Sequence, residues 1–65
     1  MIFKSGDKIV IHEGFKLDNF KGNYSDVYDV ISSFTDNIHG IEFVEFYSGG
    51  TKYTYPSQAF DLVEE

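Results

Sequence analysis

Gly40-Ile41-Glu42-Phe43-Val44-Glu45-Phe46-Tyr47-Ser48-Gly49-Gly50-Thr51-Lys52-Tyr53-Thr54-Tyr55-Pro56 is the stretch on which the fold turns. Its apolar residues repeat every second position, which sets Val44 and Phe46 on one face of an extended chain and Ile41, Phe43, Glu45 and Tyr47 on the other. A helix would need a period of 3.6, and none is present. Gly49-Gly50 supplies the positive φ that a tight hairpin demands, so Thr51 to Tyr55 returns as the antiparallel partner of Gly40 to Tyr47. Pro56 lacks an N–H and ends that strand.

Outward from the hairpin the same grammar continues. Pro56-Ser57-Gln58-Ala59 reads as one turn of tight helix, and Phe60 to Glu64 as a last short strand. Upstream, Asp7 to His12 alternates Ile9 and Ile11 against Lys8, Val10 and His12, a first strand. Glu13 to Tyr24 is broken by Gly14, Asp18, Asn19 and Gly22 and reads as a long loop, with Phe15 and Phe20 as its anchors. Ser25 to Phe34 is rich in Val, Tyr and Ile, and the irregular spacing of Val27, Val30 and Ile31 predicts a bulge or strong coil midway. Thr35 to His39 is a turn. The expectation is an all-β, five-stranded barrel over residues 1–65, a single domain. It has a long first loop and one short 3-10 turn before the last strand, and its core is drawn from Ile9, Ile11, Val27, Val30, Val44, Phe46, Tyr55 and Leu62.

A chain of 65 residues can build only one small core, and with no cysteine it has neither disulfides nor cysteine-bound metal to staple it. Seven Phe and five Tyr must carry the burial. The absence of cysteine fits a reducing compartment, and Met1 to Gly6 has no long apolar run after a basic start. A cytoplasmic protein with no signal peptide and no membrane segment is therefore expected.

The formal net charge is −6, and it is unevenly placed. Residues 1–24 carry four lysines against three acids, net +1, whereas residues 25–65 carry Lys52 alone against eight acids, net −7. There is no arginine, the usual bidentate reader of phosphate and guanine. This balance argues against nucleic acid and anionic membranes as partners and favours either a solvated acidic surface or a basic protein partner.

Gly6-Asp7-Lys8-Ile9-Val10-Ile11, Gly14-Phe15, Lys21-Gly22 and Val27 together resemble the start of KOW-type Src-homology-3-like (SH3-like) domains. Ser25 stands where those domains usually have a second glycine, and the loop from Gly14 to Gly22 is longer than usual. The ending Tyr55-Pro56-Ser57-Gln58-Ala59-Phe60-Asp61-Leu62-Val63-Glu64 is similar to the closing turn and strand of eukaryotic Src-homology-3 domains. The resemblance implies an SH3-like barrel over nearly the whole chain. The tryptophan and the Ala-Leu-Tyr-Asp-Tyr-like run that accompany proline-rich peptide binding are missing, so that function does not transfer. In composition the chain also resembles small acidic proteins of bacteriophages and low-GC Gram-positive bacteria.

No enzyme signature is present. His12 and His39, with Glu13 and Asp36 beside them in sequence, show no metal-ligand spacing and no nucleophile–base pattern, and Gly49-Gly50 lacks the Lys-Ser/Thr and helix of a phosphate loop. The expectation is a non-catalytic chain with no cofactor and no metal. Two binding readings remain. If Val44 and Phe46 face inward, then Ile41, Phe43 and Tyr47 face outward as an apolar strip. Bordered by Glu42 and Glu45 and extended by Tyr28 and Tyr53, the strip forms a protein-binding site of Tyr28, Glu42, Phe43, Glu45, Tyr47 and Tyr53. It suits an adaptor or inhibitor that binds a host or partner protein with a basic rim, or a homodimer, unless Phe15, Leu17 and Phe20 of the long loop cover it. The alternative is KOW-like nucleic-acid binding through the loop 14–24, where Lys16 and Lys21 interleave with Phe15, Phe20 and Tyr24 as cations and stacking rings.

Overall fold

The structure is a computed structural model and describes residues 3–64. Five strands follow one another, β1 (Lys8–Ile11), β2 (Val27–Asp36), β3 (Ile41–Ser48), β4 (Thr51–Pro56) and β5 (Phe60–Val63), with one 3-10 turn at Ser57–Ala59 before β5. All neighbours pair antiparallel, in the order β4-β3-β2-β1-β5. Hydrogen bonding does not join β4 to β5, so the sheet is open rather than a closed ring of strands.

The hairpin of β3 and β4 forms as its alternation and its Gly49-Gly50 turn require. Ser48 pairs with Thr51, and both glycines have positive φ, 60° and 82°. The second strand starts and ends two residues later than expected. Its extension through Asp36 is closed by a short turn, where the Asp36 carboxylate accepts from the Ile38 N–H at 2.9 Å and Gly40 N–H reaches the Asp36 carbonyl at 2.7 Å.

β2 belongs to both halves of the sheet. Its first residues pair with β1, Tyr28 opposite Ile9, and its later ones with β3, Ser33 opposite Val44. Between Val30 and Ser32 the register shifts, so of the two expected irregularities the strand takes the bulge. Val30 opposes Phe46 and Ser33 opposes Val44, both inward, so Ile31 and Ser32 share the single outward position opposite Glu45. The bulge therefore reverses the parity of everything after it. Without it Phe34 would fall on the same face as Tyr28 and Val30; with it Phe34 goes outside.

This parity corrects the expected core. Tyr28 is buried and points inward opposite Ile9, whereas Val27 pairs with Val10 on the outer face and is 52% exposed. Leu62 shares the face of Ile9 but lies on an edge strand and is 41% exposed. Tyr55 packs against the core while only half-buried. Ile9, Ile11, Val30, Val44 and Phe46 are buried as expected, and they are joined by Phe3, Leu17, Ala59 and Phe60.

The long loop closes the inner face. Phe20 sits edge-on to Tyr24, Tyr28, Phe46, Tyr53 and Tyr55, filling the space over the concave side of the sheet. Tyrosine hydroxyls then tie the loop backbone down. Tyr24 bonds both the N–H and the carbonyl of Leu17, Tyr28 both those of Asn23, Tyr53 accepts from Lys21 N–H, and Tyr55 donates to the Asp18 carbonyl at 2.6 Å. A segment without strand or helix still has backbone polar groups to satisfy, and these phenols supply partners that a ladder would otherwise give.

Candidate functional site

With the loop packed on the inner face, the outer face of β2, β3 and β4 carries exposed apolar residues among those described, Ile31, Phe34, Ile41 and Tyr47. On it, register pairs Phe34 with Phe43, Ser32 with Glu45, Asp36 with Ile41, Thr54 with Glu45, Lys52 with Tyr47 and Pro56 with Phe43. Phe34 and Phe43 stack at 5.5 Å between centroids, 23° from parallel. Among the described residues every other ring contact belongs to the network around Phe20 and Phe46, so this pair is a separate aromatic cluster on the opposite side of the sheet. Ile41 and Ile31 are exposed beside it, Phe34 is 45% exposed, and Tyr47 is 56% exposed.

Tyr47 stands apart from the other tyrosines. The hydroxyls of Tyr24, Tyr28, Tyr53 and Tyr55 are engaged with the loop backbone, whereas that of Tyr47 bonds no described residue. It is an amphipathic ring whose polar end the fold leaves unused.

The charged residues of the expected site are placed differently from one another. Glu45 lies on the outer face but is held in place: Ser32 Oγ donates to one carboxylate oxygen, and Thr54 Oγ1 and Lys52 Nζ reach the other at 3.2 and 3.3 Å. The Ser32 hydrogen bond first, then Lys52, keeps its carboxyl below the ordinary 4.5. Glu42 has the parity of Val44, so it does not border the strip from outside; its carboxylate accepts from the Phe3 N–H at 3.3 Å. At the Ile41 end of the strip, Asp36 pairs with His39 at 2.8 Å, and this contact lowers its pKa from 3.8.

Of the six expected protein-binding residues, then, Phe43, Glu45 and Tyr47 share the outer face. Glu42 lies at one end of the strip on the other side of the sheet. Tyr28 and Tyr53 are corrected to the inner face, where Tyr53 sits opposite Phe46 and stacks on Tyr55 at 5.9 Å. Phe34 completes the strip and escapes simple alternation, because only the bulge brings it round. Of the loop residues of the alternative site, Phe15 and Phe20 pack against the core, Tyr24 is exposed and edge-on to Phe20 at 5.2 Å, and Lys16 and Lys21 are exposed.

The two histidines each meet one aspartate, His12 with Asp61 and His39 with Asp36, both at 2.8 Å. Among the described residues no three His, Asp or Glu side chains come together as a metal site would need, and no helix is long and apolar enough to cross a membrane. A shallow depression of about 350 Å³ lies where the β2–β3 turn meets the 3-10 turn, lined by Gly40, Ile41, Glu42, Pro56, Ser57 and Gln58. The chain matches no protein-family model, no curated protein and no solved structure.

Proposed function

We propose that this protein is a small, acidic, non-catalytic protein-interaction module, an adaptor or inhibitor, that docks its partner on the outer face of β2, β3 and β4. The observation that carries the reading is the Phe34–Phe43 stack with Tyr47 and Ile41 beside it. These are apolar side chains, half-buried at Phe43 and exposed at Phe34, Ile41 and Tyr47, on the face opposite the one against which Phe15, Leu17 and Phe20 of the long loop pack. Aromatic clusters of this kind supply the anchors of protein interfaces, since they bury much area with little side-chain entropy to lose. The scaffold we propose for it is the SH3-like barrel. In support, β2 is shared by two half-sheets, the loop after β1 is long, and a 3-10 turn precedes β5. The nucleic-acid alternative has less support, because two of the three rings of the loop 14–24, Phe15 and Phe20, pack against the core, leaving Tyr24 as the one exposed ring beside Lys16 and Lys21.

The test is affinity capture from the source cell with the wild-type chain and with a Phe43→Ser, Tyr47→Ser double variant, both verified as folded. The reading expects a partner that the wild type retains and the double variant loses. A partner recovered at equal strength by both would overturn it. Oligonucleotide binding that falls steeply with log salt would instead restore the nucleic-acid reading.

A further inference from the structure

The open sheet leaves two strand edges, and they are not alike. A two-glycine turn joins β3 to β4 and Ser48 pairs with Thr51, so Thr51, Tyr53 and Tyr55 turn their backbone polar groups to β3, while the N–H and C=O of Lys52 and Thr54 point away from it. β4 has no strand on that side, and none of the turn and loop hydrogen bonds among the described residues ends on those groups. Both residues are exposed. The β5 edge offers less. His12 N–H on the Ala59 carbonyl sets Asp61 and Val63 against β1, and Phe60 N–H is taken by the Ser57 carbonyl, so Leu62 alone in that strand presents both groups outward. Edges are commonly guarded by a lysine or a proline, and β4 has both. Neither closes it. Lys52 Nζ lies 3.3 Å from Glu45, so its charge is directed back over β3 rather than across the edge. Pro56 lacks an N–H at the next outward position, and so fixes where pairing along the edge stops.

We propose that an extended segment of the partner protein pairs antiparallel with this edge of β4 and adds one more strand to the sheet. The proposal rests on the reading of the outer face as a docking surface, and it names the backbone form in which the partner arrives. N–H and C=O groups set in an extended row are matched by another extended backbone, whereas a helix has already spent its own. Parity then fixes the chemistry of the segment. Its residues opposite Thr54 and Lys52 lie on the outer face and continue the rows of Glu45 and Tyr47, which suits polar or acidic side chains. The residue between them lies opposite Tyr53 on the inner side, where a large apolar side chain covers the half-buried Tyr53–Tyr55 stack. A second copy of this chain is a poorer occupant, because it brings a net charge of −6 against −6.

The probe is a cyclised hairpin peptide whose free edge reads Thr-Phe-Glu, set to lie opposite Thr54, Tyr53 and Lys52, together with a twin that is N-methylated at the Thr and Glu amides of that edge. Both are titrated into the full chain, with amide hydrogen exchange and calorimetry as readouts. In the free chain the amides of Lys52 and Thr54 should exchange faster than those of Tyr53 and Tyr55. The hairpin is expected to protect Lys52 and Thr54. Its twin keeps every side chain but loses the donors, and should bind about tenfold more weakly. Thr54→Pro removes a donor from the other side and should weaken the hairpin comparably, whereas Thr54→Val gives up only the hydroxyl bond to Glu45 and should bind as the wild type does. If Thr54→Pro does not fold, the hairpin and its twin decide alone. Slow exchange of Lys52 and Thr54 in the free chain, equal binding of hairpin and twin, equal losses in Thr54→Val and Thr54→Pro, or no binding at millimolar concentration overturns the edge. So does a chain that sediments as a dimer and turns monomeric as Thr54→Pro, since the edge then belongs to a second copy. The docking face is judged separately, because a captured partner that the Phe43→Ser, Tyr47→Ser variant loses and Thr54→Pro keeps would leave the face standing without the edge.

Discussion

Phe46 has no exposed surface and lies against Phe20, Tyr28, Tyr53, Tyr55 and Phe60, so the inner core is organised around one ring. Phe46→Ala should cost about 3–5 kcal/mol, comparable to the whole stability of a domain this small, and urea denaturation should show it largely unfolded in buffer. Phe34 is the counterpart on the other side of the sheet. Half in solvent already, it should lose only about 1 kcal/mol or less as Phe34→Ser, while partner binding falls. If the two substitutions cost the same, the division into inner and outer rings is wrong. Gly22 is a third kind of position. Its φ is ordinary, but a Cβ there would lie 2.5 Å from both Phe20 Cζ and Ser48 Oγ. Gly22→Ala should therefore destabilise by about 1–3 kcal/mol by pushing Phe20 out of its socket, and a variant as stable as the parent would show that the loop has slack.

The elements differ in how far local chemistry specifies them. The β3–β4 hairpin is legible because alternation and a Gly-Gly turn act within a few residues of each other, and the 3-10 turn follows from Pro56 in the same way. The bulge in β2 is legible as an irregularity, but its consequence for Phe34 is not. A shift of one residue exchanges the two faces, and nothing local says whether Ile31 or a neighbour takes up the extra length. Tyr28 shows the same limit, since it reads as an outward aromatic until Asn23 is known to supply partners for its hydroxyl. Phe3, Leu17 and Phe60 enter the core through contacts that close over long stretches of chain, which periodicity does not see. Half of the candidate site was therefore visible in advance: Phe43, Glu45 and Tyr47 lie on the one strand whose pattern is regular. Deleting Ile31 gives an element-scale test. The deletion leaves one outward residue opposite Glu45 and keeps every other face, but it straightens the strand where the two half-sheets meet. A lowered thermal midpoint with the Phe34–Phe43 contact retained is expected, and an unchanged midpoint would mean that the bend contributes nothing to closure.

For the molecule as a whole, stability should fall at both ends of the pH range for separate reasons. Asp36 and Glu45 have carboxyls held below their ordinary 3.8 and 4.5, so the unfolded chain binds protons more readily there. Their contribution is complete above those values and is lost as pH falls through the lowered folded values. Tyr55 is shifted the other way, raised above 10.0 mainly by burial, so the folded chain keeps a proton that the unfolded chain gives up. Its contribution is lost as pH rises through 10 towards the folded value. Thermal midpoints against pH should show an acid limb that Glu45→Gln flattens and an alkaline limb that Tyr55→Phe flattens; limbs identical to the parent's would contradict these assignments. The tyrosine hydroxyls on the loop also bear on motion. The amides of Leu17, Lys21 and Asn23 end on phenol oxygens carried by rings that pack with Phe20, so exchanging them with solvent requires breaking a hydrogen bond to a packed ring. In hydrogen–deuterium exchange these three positions should keep their protons longer than Glu13 or Gly14 nearby, and proteases should cut before residue 15 rather than within 17–23. A stretch that any tracing of strands would draw as a loose connection should, on the clock of exchange, belong to the sheet.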